Sequence, residues 1–303
     1  MRKRPTGPSR ETMLTAPSFL WLLVLFLIPT LIVVGISFRT ADPYGGIGDS
    51  FSLSGFKDIV SPNFPGILLR TVRLSFFTTA WCLLLGMPVG YYIARAEKSR
   101  QANLMLLIII PFWTNFLIRV YAWKIILHPE GLLKHILIAL RLATEQTSLL
   151  YNEGAVLLVL VYTYLPFAVL PLYAAIEKFD FTLLEASRDL GAGPVRSFVS
   201  VFIPGISQGI VSSVMVVFIP ALGSYVIPDM VGGTSGEMLG NKIAQRVFVD
   251  RNLPRGSALS TILVLAVILP VLFGILLRKF KTQDKPLTDV TSVSSIGIGE
   301  RGL

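Results

Sequence analysis

Among the aromatic and polar side chains of a largely apolar chain, Trp113, Asn115, Tyr121, Trp123, Tyr164, Tyr225 and Asp229 are seven candidates for handling a cation. An aromatic face attracts a positive group by about 0.5 to 2 kcal/mol, and a carboxylate adds a full opposite charge. Tyr225 and Asp229 are four residues apart, so a regular helix makes them neighbours, although Gly223 and Pro228 can break that geometry. Rings near helix ends also form interfacial belts in membranes, and for Trp123 and Tyr164 that second reading stands beside the first. Arg119 falls among these groups and would repel a cation. It is expected to bind a carbonyl or acid of a neighbouring helix, or to reach outward to an interface.

A second group is concentrated in 177–204. Thr182 and Glu185 have the spacing of a capping box, in which the hydroxyl accepts from a backbone N–H while the carboxylate reaches back. The pattern predicts a helix of about two turns over 183–190, with Leu183, Leu184 and Leu190 on one side and Arg188 and Asp189 on another. Gly191 permits a left-handed turn at its end, and Pro194 suits the first turn of a second helix. Two short helices joined by a sharp elbow make a compact knob.

Other chemistry is missing. No Gly-x-x-x-x-Gly-Lys-[Ser/Thr] cradle for phosphates occurs, nor His-Glu-x-x-His, nor Gly-x-Ser-x-Gly, so the chain is expected to be neither an ATPase nor another enzyme. Cys82 is the one cysteine, and His128 and His135 are the two histidines, which excludes an internal disulfide and leaves little for a metal site. The long uncharged runs hold no acid or base of the kind that proton relays use. Work would therefore have to come from a partner subunit.

The elements that position these groups follow from composition. The 303 residues are 53% hydrophobic and 15% charged, with a mean hydropathy of +0.68, whereas soluble domains carry about 25% charged residues. A membrane-spanning helix needs about 20 mostly apolar residues. Six such stretches occur, at about 13–38, 72–94, 103–126, 154–176, 204–228 and 257–277, with a cytoplasmic loop at 177–203 and polar tails at 1–12 and 278–303. The whole reads as a single transmembrane domain, all-α and multi-pass. The first stretch is too long for an ordinary signal-peptide core and lacks a small-residue cleavage pattern. The third reaches 126 only if Arg119 and Lys124 sit near an interface or face other helices. Every stretch carries proline, which kinks helices that line a pathway but is also common in transmembrane helices generally. Gly86 and Gly90 provide a close-packing face.

Net charge is +9, from 27 Lys+Arg and 18 Asp+Glu. The termini and the two connections that share their side hold 15 of the cations, clustered at the span ends, and the longer opposite connections hold 12. By the positive-inside rule both termini are cytoplasmic. The charge is then a matter of topology rather than nucleic-acid binding, since no basic segment is interleaved with aromatics.

Glu185-Ala186-Ser187, three residues, Gly191, nine residues, then Val201-x-Ile203-Pro204 is similar to the EAA loop of ABC importer permeases, Glu-Ala-Ala-x3-Gly-x9-Ile-x-Leu-Pro, with every spacing kept. The runs 111–123, 165–180 and 184–192 further resemble the spermidine/putrescine branch of that family, and the similarity extends over about 20–277. The resemblance implies a type I importer permease fold in a bacterial inner membrane. It also implies that Glu185, Ala186, Ser187, Arg188, Asp189, Gly191 and Pro204 serve a coupling helix seated in a separate ATP-binding subunit. Glu185 stands there either as capping-box partner or as direct contact. Further implied are a heterodimer with a homologous six-span permease, a dimer of ATPases that uses ATP and Mg, a polyamine-binding protein outside, and no cofactor on this chain. Alternatives are a permease for phosphonate, opine or ferric iron, a secondary transporter, or a membrane scaffold.

Overall fold

A computed structural model describes residues 10–283, with side chains from 14 to 269. The chain divides into two units, one up to Leu263 and one from Val264 on. The described part of the second unit is helical. In the first unit α1 (Arg10–Ser37) leads into a short antiparallel ribbon, β1 (Arg39–Ala41) with β2 (Ile47–Phe51), and a 3-10 turn at Leu53–Asp58. α2 (Phe64–Arg95), α3 (Lys98–Ile109), α4 (Phe116–Ile126), α5 (Leu132–Ala139) and α6 (Glu153–Glu177) follow. The remainder is α7 (Thr182–Asp189), α8 (Pro194–Ser197), α9 (Ile203–Gly205), α10 (Ser207–Leu222), α11 (Leu239–Ala244) and α12 (Leu253–Gln283), the last running across both units. The chain is mostly helical, as expected, with this short ribbon as the one addition among the described residues.

Among the described residues three helices are long and apolar enough to cross a bilayer: α1 from Leu14, α2 and α6. Two bent pairs bring the number to five if each is one crossing, and the described apolar part of α12, Leu253–Leu269, is shorter. The first bent pair corrects the reading of 103–126 as one helix. Lys98–Trp113 and Phe116–Ile126 meet at 85°. Pro111 lacks an amide donor within a 3-10 turn, Thr114 is extended, and Asn115 starts α4 afresh by accepting from the Leu117 amide at 2.8 Å. The second corrects 204–228. Helix begins at Pro194, bends by 69° before Ser207, and stops at Leu222 rather than 228. The tail expected from 278 is helical to Gln283, and α1 starts at Arg10 inside the tail expected at 1–12; the rest of both tails lies outside the described residues.

The interior of the first unit is α6 flanked by α2 and α10. Leu160, Leu172 and Ile176 of α6 are fully buried. Gly86 and Gly90 of α2 do face α6, and a methyl added at Gly90 would stand 3.3 Å from the Tyr173 amide nitrogen. Gly209 of α10 is tighter still, since a methyl there would lie 2.3 Å from the Ala175 Cβ and 3.0 Å from the Pro171 carbonyl. Backbones approach closely because side chains are absent at these points. Ser213 of α10 donates to the Ala168 carbonyl at 2.9 Å, and the Tyr164 hydroxyl donates to the Pro220 carbonyl at 3.2 Å. Polar side chains thus satisfy helix carbonyls without water. α1 is exposed all round over the stretch that holds Phe19, Trp21, Leu22 and Phe26, as a helix surrounded by lipid is.

Candidate functional site: a loop elbow and a carboxylate-lined cavity

The elbow is built from local signals. The side chain that opens α7 belongs to Asp180: its Oδ1 accepts from the Thr182 amide at 3.0 Å and from the Thr182 hydroxyl at 2.7 Å. These bonds, the hydroxyl first, hold the Asp180 carboxyl below its ordinary range. The capping box expected of Thr182 and Glu185 does not form, because Thr182 is already the first helical residue and spends its hydroxyl on Asp180. Among the described residues Glu185 has no polar partner and stands exposed, which leaves it free to meet another protein.

α7 ends in a Schellman turn. The Ala192 amide donates to the Ser187 carbonyl at 3.1 Å and the Gly191 amide to the Arg188 carbonyl at 2.8 Å, with Gly191 at φ +84°. Pro194 then opens α8. Ser187 is half-buried and donates to the Leu184 carbonyl at 2.9 Å, whereas Ala186, Arg188, Asp189 and Gly191 are exposed. Leu190 at 89% and Val195 at 75% exposure put apolar surface at the tip, and Pro204 lies beyond it, at the bend that enters α10. The knob is seated on rings. Phe179, Phe181 and Phe202 meet one another, Tyr91 of α2 meets Phe181 and Phe202 edge-on at 5.8 and 5.7 Å, and the Arg95 guanidinium lies 4.9 Å from the Phe181 ring centre. Such edge-to-face and cation–ring contacts fix orientation as well as burying area.

At the opposite end of α10 lies a cavity of about 700 Å³ lined by Tyr225, Asp229, Glu237, Asn241, Gln245 and Phe248, among others. The Asp229 amide donates to the Tyr225 carbonyl at 3.0 Å, so the two remain one turn apart despite Pro228. Asn241 pins the same carbonyl at 2.9 Å. A carboxylate, a tyrosine ring and Phe248 thus share one wall. Glu237 brings a second carboxylate, 3.7 Å from the Lys242 ammonium. A neighbouring cavity of about 550 Å³ shares Glu237, Lys242 and Thr234 and is walled by Asp58, Arg70 and Arg246. Arg246 grips Asp58 through two bonds, at 2.6 and 2.8 Å, and Asp250 through a third at 2.5 Å. Those bonds, Asp58 first, raise its pKa above the ordinary guanidinium value. Arg70 and Arg73 of α2 both pair with Glu153 at the start of α6, and Arg70 also donates to the Glu237 carbonyl at 3.2 Å.

Of the cation-handling residues expected from sequence, Tyr225 and Asp229 line this cavity and the others do not. Trp113 is 76% exposed, Tyr121 is exposed, Asn115 caps α4, and Tyr164 is committed to the Pro220 carbonyl. Trp123 packs edge-on against Tyr162 at 5.3 Å. Arg119 donates to the Pro111 carbonyl at 3.2 Å and lies 4.3 Å from the Phe112 ring centre, so it closes the broken span on itself. Glu237, Asn241 and Phe248 escaped the sequence reading. Their one local signal is the Gly232-Gly233 and Gly236 cluster, which turns the backbone back toward α11.

Residues 86–281 match the family model described as binding-protein-dependent transport system inner membrane component. The chain is 34% identical to the spermidine/putrescine transport system permease protein PotB of Salmonella typhimurium over 271 residues, 89% of this chain and 94% of that one. To the same-named protein of Haemophilus influenzae it is 35% identical over 267 residues, 88% and 93% of the two chains. Its backbone is similar to a chain in the crystal structure of a bacterial alginate ABC transporter in complex with an alginate pentasaccharide-bound periplasmic protein. The TM-score is 0.64 at 14% identity, with 86% of this chain and 91% of that one covered. The chain belongs to the family of inner-membrane components of binding-protein-dependent transport systems.

Proposed function

We propose that this protein is the permease subunit of an ATP-driven importer for polyamines, spermidine or putrescine. The observation that carries the proposal is the pairing of the EAA-spaced elbow at one end of α10 with the carboxylate- and aromatic-lined cavity at the other, in a chain over one third identical to proteins named for spermidine/putrescine transport. The chain is one transmembrane domain of six crossings, counting each bent pair as one and α12 as the last, with both termini cytoplasmic. The elbow then lies inside and the cavity outside. Glu185, Ala186, Ser187, Arg188, Asp189 and Gly191 form the plug that meets a groove of a separate ATPase, with Arg188 on the flank that lines the apolar cavity beside α2 rather than inside the ATPase groove, and Pro204 sets the bend through which its movement reaches α10. A homologous six-span permease completes the path, an ATPase dimer supplies the work from ATP and Mg, and an external binding protein delivers the substrate. This chain binds no cofactor.

Inside the cavity, Asp229 and Glu237 are the countercharges for the ammonium groups of the substrate, with Tyr225 and Phe248 offering ring faces between them. Trp113, Asn115 and Tyr121, on the exposed face of the broken third crossing, meet the substrate only along the part of the path shared with the second permease. The experiment is uptake of radiolabelled spermidine and putrescine into vesicles holding the full transporter. Uptake should require ATP and ignore a proton gradient. Uptake driven by the gradient without ATP would refute the importer, and ATP-driven uptake of some other solute with no polyamine transport would refute the substrate alone.

A further inference from the structure

A third cavity, of about 710 Å³, runs beside α2 next to the elbow. It is lined by Ala80, Leu84, Met87 and Pro88 of α2 and by Leu184 and Arg188 of α7. Ala80 to Tyr91, both lining it, span eleven helical steps, or about 16 Å at 1.5 Å per residue. Half of a hydrocarbon layer about 30 Å thick is about 15 Å. The groove is open to the surroundings, since Leu84 is 62% exposed and Phe198, at its elbow end, 39% exposed. Water is a poor filling for such a surface. Arg188 is exposed, and among the described residues its guanidinium has no acid or carbonyl partner. A groove one leaflet long, apolar along its length and cationic where it meets the headgroup level, complements one amphiphile with a negative head.

We propose that this groove binds an anionic phospholipid of the inner leaflet, with an acyl chain along α2 and its phosphate on Arg188. The inference rests on the orientation proposed above, which puts the elbow on the cytoplasmic side. The lipid would sit between a membrane-crossing helix and the coupling elbow, so that leaflet composition bears directly on the elbow's seating.

The test is native mass spectrometry of the assembled transporter, delipidated and then exchanged into mixed phosphatidylglycerol and phosphatidylcholine. One phosphatidylglycerol should be retained about fivefold or more over phosphatidylcholine. Leu84→Trp, which fills the groove, and Arg188→Gln, which removes the cation, should each lower retention at least threefold. Two variants are used because either could disturb assembly, and each is scored only on transporter of unchanged subunit composition. Equal retention by the wild type and both variants overturns the proposal, as does an absence of headgroup preference. Retention by the isolated permease that vanishes on assembly also overturns it, because a protein then covers the groove. Orientation is read separately, by labelling Asp189→Cys in a Cys82→Ala background with an impermeant maleimide. Label arriving from outside would refute the topology without altering the lipid count.

Discussion

Asp229 and Asp180 are both exposed carboxylates, and their surroundings give them different tasks. Asp229 has its backbone fixed by Tyr225 and its side chain facing a cavity that also holds Glu237. A partly solvated carboxylate–ammonium pair contributes about 1 kcal/mol, which is about a fivefold change in affinity. Asp229→Asn should therefore raise the apparent KM for spermidine uptake about fivefold with little change in the maximal rate, and an unchanged KM would remove Asp229 from the path. Asp180 is a cap. Its folded pKa is depressed by the two bonds from Thr182, so the stability it lends to α7 is fully present above the ordinary carboxylate range and is lost as pH falls through the lower folded value. Hydrogen exchange at the Thr182 and Leu183 amides, corrected for intrinsic rates, should accelerate in that acid window. Asp180→Ala should show fast exchange at all pH values.

At the scale of elements, the elbow is the part that sequence describes most completely. Gly191 and Pro194 act through their own backbone torsions, so the turn is encoded within four residues and emerges where the spacing puts it. The cap is less legible: spacing points to Thr182 with Glu185, but the Asp180 carboxylate two residues before Thr182 accepts both its amide and its hydroxyl, and an acceptor so placed takes over the helix start. The break at 110–115 carried its signals, a proline followed by a good capping residue, but mean hydropathy averages over such punctuation. Gly191→Pro tests the elbow. Proline holds φ near −65° and cannot adopt +84°, so the Schellman turn must open at a cost of about 3 kcal/mol or more. Transport should disappear while membrane insertion and protein level persist; sustained uptake would show that the elbow does not couple.

For the whole molecule, the information that sequence reading lacked is long-range. Glu237 enters the cavity because its backbone is held by Arg70, 167 residues earlier, and Arg246 finds Asp58 across 188 residues. Neither partner is marked by spacing. The Arg246–Asp58–Asp250 cluster ties the loop before α2 to the loop before α12, with Arg246 and Asp58 at 20% and 13% side-chain exposure. Removing one member of a charged, mostly buried set costs about 1.5 to 3 kcal/mol. Arg246→Ala should lower the Tm of the purified protein by several degrees, and Asp58→Asn should add little on top of it. Additive losses would mean that the two do not act as a unit.

The same clamp sets an order of events during synthesis. A ribosome delivers Asp58 long before Arg246, so in the orientation proposed above the loop that carries Asp58 crosses the bilayer and waits while most of the chain is still being made. On that topology, closure of this face is deferred until the connection that carries Arg246, the last of the proposed five, has been translocated. With that topology a nascent chain arrested short of Arg246 holds an unfastened loop, and a single arginine arriving late fastens it on the far side of the membrane.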